Sequence, residues 1–508
     1  MKKILITTAI DYTNDVVHLG HSYQKIVADC LARYYRMSGY QTYFVTGTDE
    51  HGGNIEASAK VHNQSPKDYV DQVAGEDKKQ WQALNISYDR FIRTTDLDHV
   101  SVVSEFWKKC QQNGDIYKGK FKGKYCYGCE SFKTDNEIVN GKCELHQTKT
   151  IADIEEENYF FRWSKYQKFL EDWFLNHKDF VYPASRYNEM FEFLKNGISD
   201  ITISRSKEKV SWGIPVPGDP SQVIYVWFDG LINYYTAGVK DGFWDSDTKI
   251  IHILGKDNTR WHSLLWPAML QSAGIRLPNQ VYAHSFINLD GKKISKSLGN
   301  IIRPTDLVNQ YGTDAIRYYL LKYGPAIDDV DLSLDKLKKV YNSELANGIG
   351  NLVARVIALV EKNCDGKVPE IDVDPDSHPL RIDDKIHNWK KSWADIDKFT
   401  PIFGFSEALD SIQRFISAAD KYINENQPWN LASKNKKQFN WVIYGLLDSI
   451  HQLAWQINPF MPNTSLEIAR RLDIKSLLVK KPDYKDSWTN IKPGTKIISG
   501  KALFPRVS

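Results

Sequence analysis

Lys3-Ile4-Leu5-Ile6-Thr7-Thr8 decides the fold, because this largely apolar run has the length and composition of one buried strand. From His21 to about Met37 the apolar residues recur at helical spacing, until Gly39 ends the helix. A second strand, Thr42–Val45, comes next. This order predicts the start of a Rossmann-like, doubly wound parallel α/β sheet, which binds ligands beyond the carboxyl ends of its strands.

Two loops fall at that edge of the predicted sheet, Ala9–Gly20 and Gly47–Gly52. The first ends in His18-Leu19-Gly20-His21, where the glycine permits close backbone approach and the helix start offers unpaired amides. Both histidines can donate hydrogen bonds to phosphate oxygens. Considered alone, two loop histidines are more often structural than functional.

The strand pattern returns in the second part of the chain. We predict three further strands of the same sheet, at Val223–Phe228, Lys249–Leu254 and Val281–Asn288. The last leads into Gly291-Lys292-Lys293-Ile294-Ser295-Lys296-Ser297-Leu298-Gly299, whose ammonium and hydroxyl groups can close over a polyphosphate. A lone cluster of this kind is more often a solvated basic turn.

A change in composition from Asp115 to Ile198 predicts an insertion that splits the sheet. It contains a Cys-x-x-Cys pair followed by a Cys-x-x-His pair, made of Cys126, Cys129, Cys143 and His146. This spacing predicts a tetrahedral structural Zn²⁺ site, and four protein ligands leave no open position for catalysis. The alternative, a redox dithiol, does not need the second pair.

Beyond about Asp335 the apolar residues keep helical spacing, which predicts an all-α bundle after the sheet. The predicted division is 1–114 and 199–290 for the two halves of the sheet domain, 115–198 for the zinc insertion, 291–336 for the lysine loop and the segment after it, and 337–508 for the helical domain.

The composition is that of an ordinary globular protein. The chain has 508 residues, 42% hydrophobic and 25% charged, with a net charge of +3. We find no apolar run that predicts a membrane span and too short an N-terminal apolar segment for a signal peptide, so we expect a cytoplasmic protein with no membrane partner. The near balance of charge means that any nucleic-acid contact comes from a local basic face.

Taken together, His18-Leu19-Gly20-His21 and Lys293-Ile294-Ser295-Lys296-Ser297 resemble the paired HIGH and KMSKS signatures of class I aminoacyl-tRNA synthetases. Further segments are similar to those of methionyl-tRNA synthetases: Gly47–Gly52, Tyr225–Asp229, Gly255–Asp257, the zinc knuckle, Ala346–Leu352 with Arg355, and Pro428-Trp429. The similarity extends nearly from end to end.

The resemblance implies that L-methionine is activated with ATP to methionyl-adenylate and then transferred to the 3′ end of tRNA(Met), with Mg²⁺ accompanying ATP. Both steps depend on placing reactants and stabilising phosphate charge. By position in the motifs, the ATP site consists of His18, Gly20, His21, Asp257, Lys293, Ser295 and Lys296, of which the two histidines and two lysines are the catalytic residues.

The resemblance also implies a methionine site and an anticodon site. Asp49 takes the ammonium group, and the side-chain walls are Ile10, Tyr12, Trp227, Tyr234, Trp261 and His262. Sulfur–aromatic contacts favour a thioether in such a pocket. Single-stranded bases are read by stacking and edge hydrogen bonds, which implies anticodon roles for Asn351, Arg355 and Trp429. Plain core packing is the alternative for the three tryptophans.

Asp11, Asn258, Trp261 and Gly230 depart from the usual family pattern beside the pocket, which leaves its selectivity open. One alternative is another class I synthetase, for cysteine or for a branched aliphatic residue, although the latter usually carries a larger editing insertion. A second is a catalytically silent tRNA-binding relative, which the intact histidines and lysines disfavour. The chain ends without an appended tRNA-binding or dimerisation domain, so we expect a monomer.

Overall fold

The structure is a computed structural model that describes residues 2–126, 131–133, 138–139, 141–143, 151–289, 291–293, 301–371, 389–474, 480–482 and 491–507. The first part alternates strands and helices. Its elements are β1 (Lys3–Thr8), β2 (Asp11–Tyr12), α1 (Leu19–Met37), β3 (Gln41–Asp49), α2 (Gly53–Val61), α3 (Pro66–Ala83), β4 (Arg90–Arg93) and α4 (Leu97–Gln112). The predicted first strand is confirmed, and all but its first residue are buried.

The next part is dominated by a long antiparallel pair. Its elements are β5 (Ile116–Cys126), β6 (Ser131–Lys133), β7 (Ile138–Val139), β8 (Lys142–Cys143), β9 (Ile151–Phe161), a 3₁₀ helix (Trp163–Tyr166), α5 (Gln167–Asn176), β10 (Val181–Tyr182) and α6 (Ala184–Lys195). β5 and β9 pair along their whole length, from Ile116 opposite Phe161 to Cys126 opposite Ile151.

The chain then returns to the sheet. The elements are β11 (Ile201–Thr202), β12 (Ser204–Ser206), β13 (Pro215–Val216), β14 (Asp219–Ile224), α7 (Val226–Lys240), β15 (Thr248–Gly255), a 3₁₀ helix (Lys256–Asn258), a π-helix (Trp261–Leu265), α8 (Trp266–Ser272) and β16 (Gln280–His284).

The main sheet has seven strands in the order β10-β16-β15-β1-β3-β2, with β4 also pairing with β3. All of its pairs are parallel. The predicted Rossmann-like sheet is therefore confirmed. Its edge strand β10 comes from the range that the sequence assigns to the insertion. β1 lies between β15 and β3, so the strand order reverses beside it, which is where such sheets bind ligands.

The predicted strand Val223–Phe228 is wrong. β14 ends at Ile224 and belongs to a small antiparallel sheet with β12 and β13, while helix α7 begins at Val226. β-branched and aromatic residues favour strands, but Val226 and Phe228 lie buried on a helix, so tertiary burial outweighs local propensity. The predicted strand Val281–Asn288 is also interrupted, because β16 ends at His284.

The last part joins the sheet to a helical bundle, as predicted. Its elements are β17 (Ile287–Leu289), β18 (Lys292–Lys293), α9 (Pro304–Tyr311), α10 (Thr313–Tyr323), β19 (Val330–Leu332), α11 (Leu334–Val340), a π-helix (Tyr341–Gly350), α12 (Asn351–Asn363), α13 (Trp389–Phe399), a 3₁₀ helix (Thr400–Ile402), α14 (Phe405–Asn426), α15 (Pro428–Lys434), α16 (Lys436–Ile457) and α17 (Pro462–Arg471).

One continuous helical segment, Leu334–Asn363, is long and apolar enough to cross a membrane by length and composition, contrary to the expectation from sequence. Several of its apolar side chains, including Leu337, Leu352 and Val356, are buried in the core of the bundle, whereas Leu334 is 39% exposed. One such helix is weak evidence for a membrane span, because a core helix passes the same test.

A fully buried arginine ties the bundle to the sheet domain. Arg317 of α10 forms an ion pair with Asp29 of α1, with Nη2 and Oδ2 2.7 Å apart. Its guanidinium also donates to the backbone oxygens of Leu84, Pro459 and Phe460 at 3.0 to 3.2 Å. These contacts connect the helix that begins at the candidate site with the loop between α16 and α17.

Candidate functional site

The carboxyl ends of β1, β3, β15 and β16 lie side by side, because these strands are parallel neighbours. Ile10 follows β1, Tyr12 lies in β2, Asp49 ends β3 and Asp257 follows β15. Tyr12 is opposite Asp49 in the sheet register. The structure therefore brings both predicted loops to one edge of the sheet, but neither is a loop throughout, because Asp11–Tyr12 form β2 and β3 continues to Asp49.

The two histidines of the first loop orient each other at the start of α1. The Gly20 N–H donates to His18 Nδ1 at 3.1 Å, and the His18 N–H donates to His21 Nδ1 at 3.2 Å. Because both Nδ1 atoms accept from backbone amides, each neutral ring carries its proton on Nε2. Burial, and then the charge of Lys25, lowers the pKa of His21 to about 4, so this ring is neutral at pH 7. Both imidazoles can thus donate from Nε2.

Gly20 has a role that sequence reasoning missed. A Cβ at this position would lie 2.8 Å from Cε1 of His18. Any side chain would therefore displace the capping ring. The signal was present in the sequence only as a glycine between the two histidines.

Four of the predicted methionine-site residues, here called the aromatic group, form two pairs of rings between α7 and the π-helix. Trp227 and Trp261 stack with their ring centroids 4.8 Å apart and 19° between the planes. The Tyr234 hydroxyl donates to His262 Nε2 at 2.7 Å, while His262 Nδ1 donates to the Asn258 carbonyl at 2.9 Å. Burial lowers the pKa of His262 to about 4, so the ring stays neutral. The Tyr234 hydroxyl and both ring nitrogens of His262 thus each have a hydrogen-bond partner.

The other two predicted wall residues of the methionine site, Ile10 and Tyr12, pack against different apolar clusters. Ile10 packs against the same apolar cluster as the aromatic group, whereas Tyr12 packs against a small cluster that includes Ile55 and Tyr69. Asp49 lies between these regions. Gly230 on α7 approaches it so closely that a Cβ there would lie 3.1 Å from Asp49 Oδ2.

A buried polar group next to Asp49 was missed by the sequence analysis. Asp229 of α7 bonds His51 Nδ1 at 2.6 Å through one carboxylate oxygen and His99 Nε2 at 2.8 Å through the other. His99 Nδ1 also bonds the Thr236 hydroxyl at 3.0 Å. Burial raises the pKa of Asp229, but the two imidazoles outweigh this effect and hold that pKa below its usual value. His51 follows Asp49 by two residues, so the network anchors the loop that carries the predicted ammonium ligand.

The rest of the predicted ATP site is described only in part. Asp257 lies in the 3₁₀ helix after β15 and is exposed. Its carboxylate is close to Gly255, where a Cβ would lie 2.7 Å from Asp257 Oδ1. Lys293 lies in β18, which pairs antiparallel with β17. Ser295 and Lys296 lie outside the described residues.

Two of the four predicted zinc ligands are described. Cys126 ends β5 and Cys143 ends β8, and both are buried. Cys129 and His146 lie outside the described residues. Among the residues that the structure describes, no group of three or more His, Cys, Asp or Glu side chains is arranged to hold a metal ion.

The three predicted anticodon residues lie on neighbouring helices of the bundle. Asn351 begins α12 and is exposed, and Arg355 follows one turn later. Arg355 donates to Asp420 at 3.1 Å and to Asn424 at 2.9 Å, so α14 holds its guanidinium. Trp429 on α15 is 49% exposed, which is unusual for a large aromatic side chain and available for stacking.

Comparisons with known proteins agree with this geometry. A family model described as tRNA synthetases class I (M) matches residues 4–154 and 135–357. The methionine–tRNA ligase of Caldanaerobacter subterraneus subsp. tengcongensis is 41% identical over 516 residues, which cover 100% of this chain and 79% of that protein. The methionine–tRNA ligase of Thermotoga maritima is 39% identical, over 99% of this chain and 80% of its own length.

Solved structures are similar over the full chain. Mycobacterium tuberculosis methionyl-tRNA synthetase in complex with methionyl-adenylate superposes with a TM-score of 0.91 at 32% identity, covering 100% of both chains. Its apo form gives a TM-score of 0.83 at 30% identity, covering 100% of this chain and 99% of that one. The folded sheet, the residues at its edge and these full-length similarities lead to one conclusion: the chain belongs to the methionyl-tRNA synthetase family of class I tRNA synthetases.

Proposed function

We propose that the chain, a methionine–tRNA ligase by family, binds methionine at Asp49 and ATP at the start of α1, and transfers methionine to tRNA(Met). The observation that supports these site assignments is that α7, which carries Trp227 and Tyr234, approaches Asp49 at Gly230, at the sheet edge from which the chain leaves β1 toward His18 and His21. In the first step a methionine carboxylate oxygen attacks the α-phosphorus of ATP, and pyrophosphate leaves. In the second a ribose hydroxyl of the tRNA attacks the carbonyl carbon, and AMP leaves.

The chain's own residues stabilise charge in the first step. The imidazoles of His18 and His21, oriented at the start of α1, supply N–H donors from Nε2 to phosphate oxygens. Asp257, Lys293 and Lys296 complete this site in the proposal, and Mg²⁺ bound with ATP would supply further positive charge on the phosphates. Donors already fixed before the reaction cost no reorganisation when charge develops.

Two polar groups of the proposed methionine pocket are already paired. The Tyr234 hydroxyl bonds His262, and His262 bonds the Asn258 carbonyl. A substrate side chain with its own hydroxyl or charge would lose its water and compete with these hydrogen bonds. A thioether loses little and gains sulfur–aromatic contacts of about 0.3 to 1.5 kcal/mol.

ATP–pyrophosphate exchange, measured with each standard amino acid in turn, tests the proposal. We expect exchange with methionine and none of comparable rate with cysteine, isoleucine, leucine or valine. Faster exchange with one of these would assign the chain to that amino acid. Absence of exchange with all of them, together with tRNA binding, would identify a silent relative.

Lys296→Ala is expected to lower the exchange kcat by about 10²-fold, because one donor to the transition-state charge is lost. The melting temperature should stay unchanged, since a loop lysine contributes little to folding. Lys292→Ala, in the same loop but before the motif, is the matched control and should change kcat less than about threefold. Equal rates for wild type and Lys296→Ala would refute the assigned role.

Trp429→Ala is expected to lower kcat/KM for charging of tRNA(Met) by about tenfold or more, because stacking on one base contributes about 1 to 3 kcal/mol. Exchange without tRNA should be unaffected, since Trp429 lies in the bundle. Leu466→Ala, which also removes an exposed apolar side chain of the bundle, serves as control. Equal losses in both assays would indicate misfolding rather than loss of anticodon contact.

We also propose a structural Zn²⁺ held by Cys126, Cys129, Cys143 and His146. The two described thiols are 0% and 1% exposed, which suits thiolate ligands sheltered from water. Metal analysis should find about one zinc per chain, and Cys143→Ser should lose it, because each structural site needs all of its ligands. Full zinc content in that variant would contradict the assignment. A monomeric state and a cytoplasmic location stay predictions.

A further inference from the structure

A lysine is buried beneath the site, where lysine is rarely found. Lys25 of α1 is 0% exposed, and its ammonium forms an ion pair with Asp11 Oδ2 at 2.9 Å. It also donates to the Thr8 hydroxyl at 2.9 Å and to the Ala9 carbonyl at 2.8 Å. Two of the three N–H donors of the ammonium thus have hydrogen-bond acceptors, and its charge has a carboxylate beside it.

All three acceptors belong to the segment that leaves the end of β1. Within it, Ile10 and Tyr12 are proposed walls of the methionine pocket, and Tyr12 is opposite Asp49 in the sheet. The next residue, Thr13, donates its N–H and its hydroxyl to the Asp49 carbonyl, each at 3.0 Å. Lys25 therefore holds the segment that lies against the proposed ammonium ligand.

The same side chain belongs to the helix that starts at the proposed phosphate site. Lys25 follows His21 by four residues, which places both on one face of α1. Nearby, Asp77 of α3 accepts the Val17 N–H at 2.9 Å, just before His18. Lys25 thus links α1, which starts at the proposed ATP side, to the segment on the proposed methionine side.

We propose that Lys25 is a positioning residue for methionine: with Asp11 as its counter-ion, its ammonium fixes the segment Ala9–Tyr12 between α1 and Asp49. This inference rests on the proposed function, because it takes methionine to be the ligand at Asp49. Lys25 itself need not touch methionine, and its effect passes through Ile10 and Tyr12.

The test compares Lys25→Met, Asp11→Asn and the double variant by ATP–pyrophosphate exchange, with methionine and ATP varied separately. We expect Lys25→Met and the double variant to raise KM for methionine about tenfold, because a small displacement of a binding wall is costly. KM for ATP should change less than about threefold. Since the two residues act as a unit, the double variant should show no larger effect than Lys25→Met alone.

Stability needs its own control. Lys25→Met leaves the Asp11 carboxylate buried without its partner, which is strongly destabilising, whereas the double variant removes both charges. If Lys25→Met does not fold, KM for methionine in the double variant tests the inference. Lys322→Met is the matched control, because Lys322 is 8% exposed, is paired with Glu344 and Asp410, and lies on α10 outside the site. It should lower the melting temperature and leave KM for methionine unchanged.

A folded double variant with KM for methionine within about twofold of wild type would overturn the inference and leave Lys25 a purely structural residue. That outcome would leave the proposed function intact. A wild-type protein that shows no methionine-dependent exchange would instead overturn both.

Discussion

Asp49→Asn is expected to lower kcat/KM for methionine in ATP–pyrophosphate exchange by about 10³-fold, which corresponds to about 4 kcal/mol. Asp49 is half-buried at the end of β3, and α7 approaches it at Gly230. Removing one member of a desolvated ion pair costs about 2 to 5 kcal/mol, because the other charge stays without its partner. Asparagine keeps the shape of the side chain, so the change isolates the charge.

Most of this loss should fall on KM for methionine. The ammonium group does not react, so its ion pair is made equally in the ground state and the transition state. KM for ATP should stay close to wild type. Asp219→Asn is the matched control, since Asp219 is also largely buried, with its side chain 17% exposed, and pairs with Lys118 outside the pocket. An unchanged KM for methionine in Asp49→Asn would remove Asp49 from the site.

Arg317→Met is expected to destabilise the folded protein by about 3 to 5 kcal/mol, measured as the shift of the urea unfolding midpoint at pH 7. Arg317 and Asp29 are both 0% exposed, so the variant leaves a buried carboxylate whose one remaining ion-pair partner among the described residues is Arg33. It also leaves the backbone oxygens of Leu84, Pro459 and Phe460 without the guanidinium. The bundle and the sheet domain then lose their shared polar anchor.

Arg355→Met is the control for this variant. Arg355 also pairs with an aspartate, Asp420, but its side chain is 30% exposed, so its loss should cost less than about 1 kcal/mol. Comparable destabilisation by both variants would show that burial of the Arg317 pair has no special importance.

The effect of Arg317→Met should also depend on pH. Burial raises the pKa of Asp29, but the charges of Arg317 and Arg33 outweigh this effect. They hold that pKa at about 2, below its ordinary value of 3.8. A folded pKa below the unfolded one stabilises the protein above about pH 4, and this stabilisation is lost as the pH falls toward 2. The difference between wild type and variant should therefore shrink between pH 5 and pH 3, and a constant difference would contradict the ion-pair explanation.

The sheet and its functional edge could be predicted because they depend on local patterns. The run Lys3–Thr8 is apolar over the length of one strand, and Gly47–Gly52 follows the second strand directly. Parallel strands put their carboxyl ends at the same edge, so the order of elements was enough to bring these loops together.

The strand predicted at Val223–Phe228 was wrong because tertiary contacts, and not the local sequence pattern, decide the structure there. Its β-branched and aromatic residues favour a strand in isolation. In the folded protein Val223 and Ile224 end strand β14, whereas Val226 begins α7 and Phe228 on that helix packs into the core, and only the surrounding elements decide between these outcomes.

Local sequence patterns could not predict the contacts between residues of the site. Asp229 meets His51 across 178 residues of chain and His99 across 130. A buried Lys25 is contrary to the usual preference of lysine for water. It is tolerated only because Thr8, Ala9 and Asp11 place three oxygens around its ammonium.

The sequence by itself determined that a parallel sheet precedes a helical bundle, which loops reach the sheet edge and which kinds of chemical group those loops carry. Tertiary structure decided which ring nitrogens donate, which charges are paired and which aromatic faces remain available for a ligand. The reason is physical: strand and helix patterns depend on neighbours along the chain, whereas desolvation and hydrogen-bond geometry depend on groups that meet only after packing.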